Sequence, residues 1–338
     1  MIRILFTIIS VCLLTLNYTP LIAQTKQVKQ PKEDETLIYS NPSKPIKLKP
    51  GDKHPTQTGW YFFTAHEFKD KDVNPNGVPY GFEDQMKWFK NHAAIDNSKC
   101  MRVKKGVLHL LTIEEPDSVV NFFGNTVKYS TYSTQTVAPI SPQYWGVFTE
   151  NMRYEVRMKC GPELGFNHAL WFMPENSRYG KDGGASYVGW PECGEIDLLE
   201  TPRAKPNEKA WFTLHSKNFN NQSPNGSTHK TLDLDDMNQW HIYWIELTEK
   251  EIRAGINGDC YFIHKYGDNG NIDWPWNTPE GWYFMMTPGF SFSQGSWMGS
   301  ANPADWNPGN PPNMQIDWIR VYTNEKYKGE APSKARYY

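Results

Sequence analysis

The sequence predicts an all-β chain folded as a sandwich or jelly roll, on three observations. Short apolar or alternating runs recur along its 338 residues, and loops rich in Gly, Pro and Asn separate them. No long stretch carries the 3.6-residue periodicity of a helix. Aromatic side chains are abundant, with 14 Trp, 18 Tyr and 17 Phe, and such residues favour pleated surfaces.

The elements follow in order. Residues 107–112 form a short apolar strand after a Lys-Lys-Gly turn. Residues 152–160 alternate, with Met152, Tyr154, Val156, Met158 and Cys160 on one side and Arg153, Glu155, Arg157 and Lys159 on the other. That pattern predicts an antiparallel strand with one buried and one solvated face. Residues 209–215, 240–247, 251–256, 282–287 and 314–322 continue it, and Asn257-Gly258-Asp259 makes a tight hairpin. Residues 289–312, dense in Gly, Pro, Asn and Trp, read as a long loop of the kind that carries function.

Residues 1–23 read as a signal peptide, because Arg3 precedes an apolar run over 4–16 that is shorter than a membrane span. Residues 24–56, rich in Lys, Pro, Ser and Thr, read as a linker. Aromatic content rises at Trp60, so one domain is expected over 57–325, with a tail over 326–338. The expected location is outside the cytoplasm: periplasm, cell surface or medium. No further stretch is long and apolar enough to span a membrane. A formal net charge of -2 without a basic block excludes nucleic acid as a partner. A monomer is expected. Cys100, Cys160, Cys193 and Cys260 could pair in an exported protein. A domain this large can equally keep them as buried thiols.

The informative run is Trp190-Pro191-Glu192-Cys193-Gly194-Glu195-Ile196-Asp197-Leu198-Leu199-Glu200. Its middle is apolar enough for a core strand, yet Glu195, Asp197 and Glu200 interrupt it. In a regular strand Glu195 and Asp197 share a face and Glu200 points the other way. A β-bulge at Leu198 or Leu199 would return Glu200 to that face, and bulges are enriched beside active sites. Three acids on one face repel each other, a cost that glycoside hydrolysis requires. Retaining glycosidases use one carboxyl as nucleophile and a second, about 5–5.5 Å away, as acid/base. The Trp content fits the same chemistry, because an indole face stacks on the apolar face of a pyranose ring.

The run G-E-I-D-L-L-E preceded by W-P-E-C resembles the signature of glycoside hydrolase family 16 in its bulged, laminarinase-like form. Residues 169–174, 240–246 and 315–322 resemble further strands of that family. The resemblance implies a concanavalin-like β-jelly-roll sandwich with an open substrate cleft on the concave sheet. It also implies retaining, endo-acting cleavage of a polysaccharide, most simply a β-1,3- or β-1,3-1,4-glucan, with no required cofactor. By the same resemblance Glu195 is the nucleophile, Glu200 the acid/base and Asp197 the assisting acid. Trp171, Trp190 and His215 would line the subsites beside the scissile bond, and Arg153 could reach the cleft.

The chain departs from the family pattern at two places. It has Asn167-His168-Ala169-Leu170-Trp171 where many members have W-P-A-F-W, and it has Thr287 followed by a long insertion carrying Trp297. Asn167 and Trp297 are therefore expected sugar contacts that set the substrate. They leave open an endo-β-galactosidase acting on galactan, an agar-type polymer or poly-N-acetyllactosamine. A carbohydrate-binding protein without activity is the alternative from another class; an intact acid triad speaks against it. Glu67 and Asp317 correspond to a structural calcium site of some relatives, although calcium takes six to eight oxygens.

Overall fold

A computed structural model describes residues 44–68, 82–84, 100–120, 126–131, 134–136, 147–174, 190–203, 210–222, 228–232, 234, 237–267, 281–306 and 312–330. The expected signal peptide, the linker before residue 44 and the tail beyond 330 lie outside them. The strands in chain order are β1 (Trp60–His66), β2 (Phe82–Asp84), β3 (Met101–Lys104), β4 (Val107–Leu111), β5 (Ile113–Val120) and β6 (Thr126–Ser130). Then come β7 (Thr134–Thr136), β8 (Val147–Phe148), β9 (Met152–Lys159), β10 (Phe166–Pro174), β11 (Glu195–Glu200) and β12 (Ala210–His215). The last six are β13 (Thr228–Leu232), β14 (His241–Leu247), β15 (Glu251–Ile256), β16 (Asp259–Lys265), β17 (Trp282–Phe290) and β18 (Asn313–Asn324).

They form two eight-stranded antiparallel sheets and a separate β5–β6 ribbon. One sheet runs β16-β15-β14-β9-β18-β4-β3 with β1 also on β18; the other runs β13-β12-β11-β10-β17-β7-β2 with β8 also on β17. The all-β sandwich expected from the sequence is therefore the fold. Its core lies between the sheets. Leu170 and Phe172 of β10, Ile196 and Leu199 of β11, and Phe212 and Leu214 of β12 face Tyr154, Val156 and Met158 of β9 and Ile245 of β14. Tyr154 meets both Phe172 and Phe284 at 5.7 Å between ring centroids. Fully burying each such side chain is worth about 1.5–3 kcal/mol, so the alternating apolar positions suffice to hold the two sheets face to face.

Strand β9 corrects one expectation. Its charged side is not solvated: Arg153, Glu155 and Arg157 are all buried. Partners from β9 itself, from β14 and from the stretch before β1 compensate the charges. Arg153 donates to Glu155 at 2.7 Å and to Glu246 at 2.5 Å, and its guanidinium lies 4.2 Å from the Trp244 ring. His54, within the stretch read as linker, packs over this face and pairs with Glu155 at 3.0 Å. Ile46 and Leu48 pack beside Trp60, Phe62 and Tyr322, so the described part of that stretch lies on the domain. Strand β17 also runs to Phe290, into the region read as loop, where Gly289 pairs with Asn167. Cys100, Cys160, Cys193 and Cys260 are free thiols.

Candidate active site

The acid strand β11 lies between β10 and β12, and its register carries the predicted irregularity. Asp197 pairs with Thr213 and Glu200 with Trp211, so three steps on β11 meet two on β12. Against β10, Leu199 pairs with Leu170 and Asp197 with Trp171, which leaves Leu198 as the extra residue. Both Leu198 and Leu199 are buried in the core. The bulge thus sends two leucines inward and returns Glu200 to the face of Glu195 and Asp197. Gly194, at φ 88°, supplies the left-handed turn that leads into Glu195.

The neighbouring strands add side chains to that face. Trp171 is the β10 partner of Asp197, and His215 is the β12 partner of Glu195. Trp190, from the turn before β11, donates its indole N–H to Glu195 Oε2 at 2.5 Å, with its ring 6.0 Å from that of His215. His215 Nε2 lies 3.2 Å from Asp197 Oδ2. Trp171 Nε1 donates to Thr287 Oγ1 at 2.9 Å, which fixes the indole by the residue that departs from the family pattern. Asn167 Nδ2 donates to Glu200 Oε1 at 3.3 Å.

Electrostatics mark the same place. Burial, then the charge of Asp197, pushes Glu195 up to about 8, while His215 and the Trp190 N–H pull it back. Burial, then Glu195, pushes Glu200 up to about 7, opposed by His215 and Asn167. Asp197 is raised by burial and by Glu200, and its hydrogen bond with Glu195 opposes the shift. Two unit charges about 5 Å apart repel by about 3 kcal/mol at an effective dielectric near 20, or roughly two pKa units. The triad therefore retains a proton near neutrality and titrates as a unit. Perturbed acids clustered on one face are the usual mark of an active site.

Trp297 reaches the same region from the loop after β17. Its ring stacks on Trp211 with centroids 5.7 Å apart, and Trp211 is the β12 partner of Glu200. The loop is seated by Gly165: a Cβ there would stand 2.0 Å from Ala301 N. The sequence reading missed Trp211; the signal was its even spacing from His215 within residues 209–215, which puts both on one face of the strand.

Two expectations are corrected. Arg153 does not reach this face; it lies in the other sheet, 1 % exposed and held by Glu155 and Glu246. Its position on the side of β9 opposite Tyr154 and Val156 directs it away from the sheet that carries the acids. Glu67 and Asp317 do not fit a calcium site. Arg320 donates twice to Glu67, at 2.9 and 3.3 Å, and Arg157 donates to Asp317. A second cation at either carboxylate would meet a buried guanidinium. Among the described residues, the cluster with metal-like proximity is Glu195, Asp197 and His215, whose donor atoms lie within 4.8 Å of one another.

The solved structures agree on the fold. The laminarinase catalytic domain of Thermotoga maritima matches with a TM-score of 0.57, covering 78% of this chain and 98% of that one at 23% identity. By sequence, the chain is 27% identical over 203 residues to a keratan-sulfate endo-1,4-beta-galactosidase of Sphingobacterium multivorum, covering 59% of this chain and 41% of that protein. It is also 27% identical over 176 residues to a beta-glucanase of Rhodothermus marinus, covering 50% of this chain and 56% of that protein. The chain thus spans about half the length of the curated relatives it matches. No protein-family model matches. The fold is the one the family 16 resemblance implied, and these relatives are glycoside hydrolases.

Proposed function

We propose that this chain is an endo-acting, retaining β-glycosidase of the family 16 type that cleaves internal bonds of a polysaccharide by double displacement. The observation that carries the reading is the bulge at Leu198, which gathers Glu195, Asp197 and Glu200 on one face. In the first step the Glu195 carboxylate attacks the anomeric carbon while Glu200 gives its proton to the departing glycosidic oxygen. In the second, Glu200 takes a proton from water, which attacks the same carbon and releases Glu195. Asp197 bonds Glu195 and holds negative charge close by, so that the cluster keeps a proton as a unit, and the mechanism places that proton on Glu200. Trp190 steadies the ionised nucleophile through its N–H. Trp171 and the Trp211–Trp297 pair offer faces on which sugar rings stack.

The first polymer reading is a β-1,3- or β-1,3-1,4-glucan, supported by the glucanase relative. The second is a β-galactoside polymer, favoured by the longer match to the keratan-sulfate endo-β-galactosidase and by Thr287, at one of the two departures, which holds the Trp171 indole. A substrate too large to cross a membrane is consistent with export directed by residues 1–23, for which N-terminal sequencing of the secreted protein is the check.

Incubation with laminarin, lichenan, agarose, keratan sulfate and mucin O-glycans tests the whole reading. Oligosaccharides of several lengths released from one polymer are expected. The Glu195→Gln variant should lose at least about four orders of magnitude in kcat, about 5.5 kcal/mol of barrier, while still binding the polymer. Full activity in that variant would sink the mechanism.

A further inference from the structure

We propose that Asn167 is a positioning residue for Glu200 rather than a sugar contact: its amide is locked in one orientation and presents a fixed N–H donor to the acid/base carboxyl. The inference rests on the role assigned to Glu200 above.

Asn167 lies at the end of β10 where the sheet leaves the acid strand. Across β10 it pairs with Gly289, and past the bulge it bridges to Pro202. Its Oδ1 accepts the backbone N–H of Thr201 at 2.7 Å. A backbone N–H can only donate, so Oδ1 must occupy that side of the amide and Nδ2 must face Glu200. The orientation is thereby dictated by a neighbour that cannot exchange roles. Thr201 is itself clamped: His168 N donates to its Oγ1 at 3.0 Å, and that hydroxyl donates to His168 O at 3.2 Å. Backbone and side chain of one residue thus hold the amide from behind, and both its ends are occupied. At 8 % exposure Asn167 has little surface to offer a sugar. It acts through Glu200.

A donor that cannot turn into an acceptor favours the ionised carboxyl. It opposes burial and the charge of Glu195, which otherwise raise the proton affinity of Glu200. An acid/base catalyst must both release and recover its proton, so that balance sets the basic limb of the pH–rate profile.

The experiment follows Glu200 directly, by carboxyl carbon NMR titration of the full chain with labelled glutamate, the resonance being assigned through Glu200→Gln. It is paired with kcat/KM against pH on the polymer that the panel identifies. Asn167→Ala removes the donor; Asn167→Asp keeps the shape and the acceptor for Thr201 but replaces the donor by a charge. The Glu200 titration is expected to rise by about one unit in Asn167→Ala and further in Asn167→Asp, charge-assisted bonds being the strong class. The basic limb should move with it. An unmoved titration in both variants overturns the proposal. So does a uniform loss of rate with both limbs in place, the signature of a merely structural residue. A titration that moves while the limb stays fixed overturns the positioning role and leaves the hydrolase reading intact. Absence of hydrolysis by the parent chain would instead remove the hydrolase reading on which the proposal stands.

Discussion

Replacing Glu155 by Gln should destabilise the protein by about 2–3 kcal/mol at pH 7, and the penalty should vanish in acid. Glu155 is 5 % exposed, in the central strand β9, and accepts from both Arg153 and His54. Burial alone would raise its pKa, but Arg153 and His54 outweigh burial and bring it from 4.5 down to about 2. A folded-state pKa below the unfolded one means that folding releases the proton more readily. The linked stability is therefore fully present above the unfolded value and is lost as pH falls through the folded one. The gap between 4.5 and about 2 corresponds to roughly 3 kcal/mol at 1.36 kcal/mol per unit. Glutamine preserves the volume but leaves Arg153 with Glu246 as its remaining charged partner, and breaking a buried pair is costly. Urea titrations of both proteins at intervals from pH 7 to pH 2 measure the difference. The curves should converge as pH falls from 4.5 towards 2. A difference independent of pH, or one below about 0.5 kcal/mol at pH 7, would refute the assignment of this network as a folding element.

Trp190→Phe removes the N–H bonded to Glu195 and should move the acidic limb of kcat/KM upward by about one unit. An unmoved acidic limb would exclude Trp190 from stabilising the ionised nucleophile. Because burial and mutual repulsion raise both glutamates, the limbs of the profile, which belong to the coupled acids as a set, should both sit above the ordinary carboxylate range. A profile centred near pH 4 would count against the geometry. Trp297→Ala uncovers Trp211 and should raise KM about tenfold with kcat changed by less than about threefold; a loss confined to kcat would place Trp297 outside the binding surface. Adding a chelator should leave the melting temperature unchanged, since Arg320 and Arg157 already neutralise Glu67 and Asp317. A fall of several degrees would restore calcium at that site.

The fold was legible because alternation along single strands depends on local sequence. The acid strand was legible for a stronger reason: three carboxylates in an apolar run can share a face only if the run is irregular, so chemistry and geometry constrained one another. The outer face of β9 was not legible. Arg153, Glu155, Arg157 and Lys159 look like a solvated row, and only Lys159 escapes full burial. What covers the others comes from His54, Glu246 and Trp244, at sequence separations that periodicity cannot see. The partners of Asn167 were hidden for the same reason. Thr201 and Glu200 become its neighbours only when β10 and β11 pair.

The extra residue at Leu198 has a consequence for how the sheet finds its alignment. Sliding β11 by one position against β10 and β12 would turn Leu199 towards water and drive the acids into the apolar space between the sheets. Three carboxyls without partners there would cost several kcal/mol each, far more than the mismatch a strand of leucines and valines would feel. The same side chains that make the strand expensive to build therefore act as an alignment mark during folding. Mispairing at this point is therefore penalised as the two sheets close on each other.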